Sequence, residues 1–125
     1  MNQPVVRAVR GATSVDEDTP EAILESTAEL LTEVLERNDL TPDDLISIIF
    51  TMTSDLRSEF PALAARHAGL TKIPLLCASE IPVPGSLGMC IRLMLHCSVP
   101  RERPIHHVYL RDARKLRPDL SEDAQ

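Results

Sequence analysis

Arg92 sits where a charge is hardest to keep. It lies inside Met89-Cys90-Ile91-Arg92-Leu93-Met94-Leu95, a run that otherwise reads as a buried strand. A guanidinium stays protonated at any ordinary pH, so it cannot escape burial by losing its charge. An uncompensated buried charge is costly, so either a protein carboxylate or an anionic ligand must offset it. Strand alternation sharpens the question. Ile91, Leu93, Leu95 and Cys97 form an apolar face, whereas Cys90, Arg92, Met94 and His96 form a mixed one. In the last strand Val108 and Leu110 alternate with His107, Tyr109 and Arg111, which puts Tyr109 on the same mixed sheet face as Arg92. Spacing alone leaves two readings open: a structural or interface ion pair, or an anion site.

Other candidates carry the same ambiguity. Glu80 follows the apolar run ending at Cys77-Ala78 and precedes a proline-rich loop. There it could orient an arginine, accept a substrate hydroxyl, or be solvated. Arg10, before Gly11, is expected at a strand end, as a ligand contact or a surface charge. Cys77 has no histidine tied to it by a local motif and reads as a small buried filler rather than a nucleophile. His67, His96, His106 and His107 lack metal-ligand spacing, so no metal is expected. Pro84-Gly85-Ser86-Leu87-Gly88 lacks the Gly-Lys-Ser/Thr element of a phosphate cradle. What is left is an arginine-lined site for a small anion, whose chemistry would be electrostatic.

These residues must be held by a short list of elements. Val5 to Val9 reads as a first strand, ended by a turn at Arg10-Gly11. Thr19-Pro20-Glu21 is a helix start, with a capping hydroxyl, proline at the first position and an acid in the first turn. The helix runs to about Arg37. Leu24, Ala28, Leu31 and Leu35 form one apolar column, Ile23, Thr27, Leu30 and Val34 the next, and Glu25, Glu29, Glu33 and Glu36 face away. Leu45 to Thr53 is a β-branched-rich central strand. Residues 60–68 form a short helix ended near Gly69. Strands follow at Ile73 to Ala78, Leu87 to Cys97 and Ile105 to Leu110, and residues 118–125 are expected to be a mobile acidic tail. The order predicts an α/β, or α+β-like, mixed five-stranded sheet with one long and one short helix on one face. The other face then needs cover, which further subunits could supply.

Bulk composition agrees with one domain spanning residues 1–125. A chain of this length buries roughly two thirds of its unfolded surface. Two Phe, one Tyr and no Trp make the core aliphatic. A net charge of −6 argues against nucleic acid as a partner, though not against a small anion met by a local arginine cluster. No apolar run is long enough for a transmembrane helix, and the N-terminus has no signal-peptide pattern, so neither membrane association nor export is expected. Three cysteines give no even framework, consistent with reduced thiols in the cytoplasm.

Taken in order, a set of fragments resembles a known family. They are Arg7-Ala8-Val9-Arg10-Gly11-Ala12-Thr13, Thr53-Ser54-Asp55-Leu56 followed by Phe60-Pro61-Ala62, Cys77 with Glu80, Cys90-Ile91-Arg92, and His107-Val108-Tyr109-Leu110 followed by Leu116-Arg117-Pro118-Asp119-Leu120. Together they resemble the monofunctional, trimeric α/β chorismate mutases, over essentially the whole chain. The resemblance implies a homotrimeric pseudo-α/β-barrel with active sites between subunits. It implies a [3,3] Claisen rearrangement of chorismate to prephenate, with no cofactor and no covalent intermediate. Arg92 would face the ether oxygen, Glu80 would accept the substrate hydroxyl and pair with an arginine, Arg10 would bind a carboxylate, and Tyr109 would hydrogen-bond nearby. Phe60, Ala62, Leu75, Leu76 and Cys77 would line the pocket, with Arg66, Leu116 and Arg117 at its mouth. One departure is Leu63, where a lysine is expected. Two other readings remain open at this point: a non-catalytic trimer binding a small dicarboxylate, and a trimeric enamine or imine deaminase.

Overall fold

The computed structural model describes residues 3–116. Its elements run β1 (Pro4–Ser14), α1 (Pro20–Arg37), β2 (Leu45–Met52), α2 (Ala62–His67), β3 (Leu75–Ser79), β4 (Cys90–Pro100) and β5 (Val108–Tyr109), with 3-10 turns at Pro42–Asp44 and Arg111–Lys115. The sheet order is β3-β2-β4-β1-β5. Central β4 is antiparallel to β1 and β2, while β3 and β5 add in parallel at the edges. Both helices lie on one face, as the sequence predicts. Arg117 and the tail at 118–125 lie outside the described residues.

The core sits between that face and the helices. Val9, Ile48, Phe50, Leu93, Leu95, Cys97, Val99 and Val108 from the strands meet Leu30, Leu31 and Val34 of α1 and Ala62 and Ala65 of α2. Each large aliphatic or aromatic side chain fully buried here stabilises by about 1.5–3 kcal/mol relative to exposure. α1 starts as expected: the Thr19 hydroxyl accepts the Ala22 N–H at 3.1 Å and Pro20 opens the first turn. Its fully buried line is Ile23, Thr27, Leu30 and Val34, whereas in the Leu24 column Leu31 is buried, Leu24 and Leu35 are half-buried and Ala28 is exposed. Thr27 is tolerated on that line because its hydroxyl donates to the Ile23 carbonyl at 2.7 Å.

Strand boundaries shift from expectation: β2 ends at Met52 rather than Thr53, β3 spans Leu75–Ser79 rather than Ile73 to Ala78, β4 spans Cys90–Pro100 rather than Leu87 to Cys97, and β1 and β5 differ most. β1 does not turn at Arg10-Gly11 but continues to Ser14. Gly11 is a close-packing point instead: a Cβ there would lie 3.0 Å from Val34 Cγ2, 3.2 Å from Leu30 Cδ1 and 3.3 Å from Leu93 Cγ. Arg10 is therefore mid-strand. β5, in turn, keeps only two residues of the expected six. Side chains replace the ladder before it. The buried Asn38 amide accepts the His106 N–H at 2.7 Å and donates to the His106 carbonyl at 2.9 Å, and the His107 imidazole Nδ1 accepts the Arg10 N–H at 2.9 Å.

Candidate active site

The register across four strands assembles the site. Thr51 on β2 pairs with Arg92 on β4, Arg92 with Ala12 on β1, and Ala12 with Tyr109 on β5. This rung projects from the face without helices. Alanine at position 12 leaves room between the two large side chains. A cleft of about 230 Å³ opens here, lined by Arg10, Ala12, Ile49, Thr51, Glu80, Arg92, Met94 and Tyr109 among others. A wider depression of about 640 Å³ adjoins it, sharing Glu80 and Arg92 and bordered by Leu116 and the 81–88 loop.

Arg92 and Glu80 form a bidentate pair. Nε donates to Oε2 and Nη2 to Oε1, each at 2.8 Å. The Arg92 side chain is 43 % exposed and that of Glu80 14 %, so the carboxylate is the more enclosed partner. Hydrogen bonding to Glu80 raises the guanidinium pKa above its ordinary value, against the opposing effect of burial. The fork occupies one Nε hydrogen and one Nη2 hydrogen, which leaves three N–H groups that Glu80 does not use. Glu80 sits just past the end of β3, where its N–H donates to the Met52 carbonyl at 2.8 Å. The Thr51 hydroxyl donates to Glu80 Oε2 at 2.6 Å.

The start of β4 is fixed two residues before Arg92. The Cys90 N–H donates to Thr53 Oγ1 at 3.0 Å, and the Asp55 carboxylate accepts the Met89 N–H at 3.0 Å. Gly88 leaves room for this carboxylate, because a Cβ there would lie 2.5 Å from Asp55 Oδ2 and displace it. The Cys90 thiol is pushed up to about 11, first by burial and then by the charge of Glu80, so it stays protonated and unreactive at neutral pH. The Tyr109 hydroxyl is buried and has no hydrogen-bond partner among the described residues. A buried polar group in that state, lining a cleft, is completed by a ligand, a water or another chain.

Two cationic side chains against one carboxylate leave the cleft with a net positive charge, which suits an anion. No cluster of His, Cys, Asp or Glu able to hold a metal occurs among the described residues. No described helix is long and apolar enough to cross a membrane.

Of the residues expected from the sequence, Arg10, Glu80, Arg92 and Tyr109 come together, and Leu116 lies at the adjoining depression. Arg117 lies outside the described residues, and the other described candidates do not reach the cleft of their own chain. Phe60 is 67 % exposed and Leu76 61 % exposed. Ala62 is in the core, and Leu75 and Cys77 pack against it on the helix-covered face, because they pair with the core residues Ile48 and Phe50. Arg66 borders a separate hollow with Leu70, Thr71, Ile73 and Leu75. Leu63 is half-buried on α2. Sequence reading missed Thr51, Ile49 and Ala12. Their signal was alternation in β1 and β2, which becomes informative only once the register with β4 is known.

Fold and site together define a small α+β protein with helices on one sheet face and an arginine–carboxylate anion cleft on the other. Comparison with known proteins narrows this class. The family described as chorismate mutase type I matches residues 6–120. Chorismate mutase AroH of Thermus thermophilus is 52 % identical over 124 residues, covering 97 % of this chain and all of the relative. Chorismate mutase AroH of Bacillus subtilis (strain 168) is 42 % identical over 120 residues, 94 % of each chain. A chorismate mutase from Clostridium thermocellum superposes with a TM-score of 0.84 at 49 % identity, covering 87 % of this chain and 98 % of that one. The chain belongs to the chorismate mutase type I family.

Proposed function

We infer that this protein is an isomerase that converts chorismate to prephenate, a step towards aromatic amino acids. The observation that carries the reading is the bidentate Arg92–Glu80 pair facing a cleft with Arg10 and a Tyr109 hydroxyl that has no hydrogen-bond partner among the described residues. The reaction is unimolecular: the ether C–O bond breaks as a C–C bond forms, with no group gained or lost. The protein need only hold the reactive shape and stabilise the charge that grows on the ether oxygen. Arg92 donates to that oxygen through N–H groups that Glu80 leaves unused. A single preorganised donor of this kind contributes about 3–4 kcal/mol. Arg10 binds a substrate carboxylate, Glu80 accepts the substrate hydroxyl, and Tyr109 donates in the same region. Restraint of a flexible substrate in a near-reactive geometry lowers the barrier further.

The working unit is a homotrimer with sites between subunits. Two features support this: the helix-free face exposes Val6, Ile49 and Leu76, and Phe60 and Arg66 lie outside the cleft of their own chain, as a site completed by a neighbouring copy requires. Sedimentation should give three times the chain mass, and a monomer at working concentration would remove the shared-site reading. Cytoplasmic placement is consistent with three free cysteines.

The test is loss of chorismate absorbance on adding pure protein. A rate above background that saturates with chorismate is expected, and no rate above background would end the mutase reading.

A further inference from the structure

We propose that Thr51 is a positioning residue for this reaction, holding the Glu80 carboxylate in the one orientation that fixes the Arg92 guanidinium. The inference rests on the mutase reading and deepens it. Glu80 lies beyond the last residue of β3, so only the Met52 carbonyl holds its backbone to β2. Its side chain is long, and so is that of Arg92, which is 43 % exposed. A fork between two long side chains fixes them relative to each other but not to the sheet, so the pair can swing as a unit.

Thr51 supplies the missing fixed point. It is β-branched, with few rotamers, and sits in the middle of the sheet, paired with Arg92 on one side and Ala78 on the other. Its hydroxyl donates to Glu80 Oε2 at 2.6 Å, the same oxygen that accepts Arg92 Nε–H at 2.8 Å. Two donors on one oxygen, one from a stiff strand position and one from the guanidinium, define the plane of the carboxylate. The carboxylate then defines the plane of the fork and the direction of the three N–H groups that Glu80 does not use. Sub-ångström placement of a donor is what electrostatic catalysis depends on, since its benefit requires the dipole to be aimed before charge develops.

The test compares Thr51→Val, which keeps the shape and loses the donor, with Thr51→Ser, which keeps the donor. In the chorismate assay Thr51→Val should lower kcat about tenfold with KM changed less than about twofold, because aim in the transition state is lost rather than binding. Thr51→Ser should retain at least about one third of the wild-type kcat. Thermal melting of both variants should stay within a few degrees of wild type. The proposal is overturned if Thr51→Val matches wild type, if Thr51→Ser is as slow as Thr51→Val, or if the loss in Thr51→Val follows the folded fraction with kcat per folded site unchanged. An inactive wild type would instead overturn the mutase reading on which the proposal rests. An active wild type with an unaffected Thr51→Val removes the positioning role alone.

Discussion

The two faces of one sheet have opposite occupants. On β4, Ile91, Leu93, Leu95 and Cys97 are at most 4 % exposed beneath the helices, while Arg92, Met94 and His96, each one residue away, remain part-exposed on the open face. The covered face concerns stability: it is aliphatic, continuous with α1 and α2, and so closely packed that a methyl group at Gly11 would press on Val34, Leu30 and Leu93. The open face concerns charge. Its main feature, an ion pair whose guanidinium is 43 % exposed, adds little to stability because solvent screens it. Period-2 alternation has thus separated folding from chemistry along a single strand. Substitutions on the two faces should therefore fail in different ways.

The largest effect is expected on the covered face. Phe50→Ala removes a fully buried ring from the centre of the core. It should cost about 3–5 kcal/mol, read as a lower urea midpoint at fixed protein concentration. Activity per folded site should change by less than about threefold. A large rate loss at unchanged stability would break the division between the faces.

On the open face, Arg92→Lys keeps the charge and loses the planar fork. It should lower kcat/KM at least about tenfold with little change in melting temperature. Full activity in this variant would mean that charge alone suffices and that the bidentate geometry is incidental.

His107 is buried just before β5, and its effect should be small. Burial, then the Arg10 charge, lowers its pKa from 6.5. The folded state therefore favours the neutral ring, whose Nδ1 accepts the Arg10 N–H. Stability from this group is present above pH 6.5 and is lost as pH falls through the lowered folded value. Between pH 7 and pH 5 the wild type should lose more stability than His107→Gln, measured by denaturant titration at each pH. Parallel curves would remove the assignment.

Smallest of all, Cys77→Ser should change kcat/KM by less than about threefold, since the thiol packs on the covered face away from the cleft. Complete inactivation would revive a nucleophilic role.

How much of this was legible beforehand depended on how strongly each segment alternates. In β4 the pattern is clean, so the face of Arg92 could be assigned from sequence, and the Thr19-Pro20 cap marked the start of α1 to the residue. β3 is almost uniformly apolar, which hides the face of each residue. Leu75 and Cys77 could be assigned to the core, and Leu76 to the open side, only from the pairing with β2. Gly11 read as a turn because a glycine that permits a turn and one that permits close packing look the same in a sequence. Asn38 and Thr51 act through partners 68 and 29 residues away. No local pattern reports such contacts. The residues that the fold alone brings together, Arg10, Glu80, Arg92 and Tyr109, are the four to which the family resemblance gives catalytic roles, while most of the pocket-lining residues it implies lie elsewhere. Phe60 and Arg66 lie outside the cleft.

The central claim is that the Arg92 guanidinium, held by Glu80 on the open face, drives the rearrangement without being needed for the fold. The direct measurement is kcat/KM for chorismate of Arg92→Ala beside wild type, with melting temperatures of both. The account predicts a loss of at least about 100-fold with melting within a few degrees. A variant within about threefold of wild type, or one whose loss is accounted for by unfolding, would contradict it.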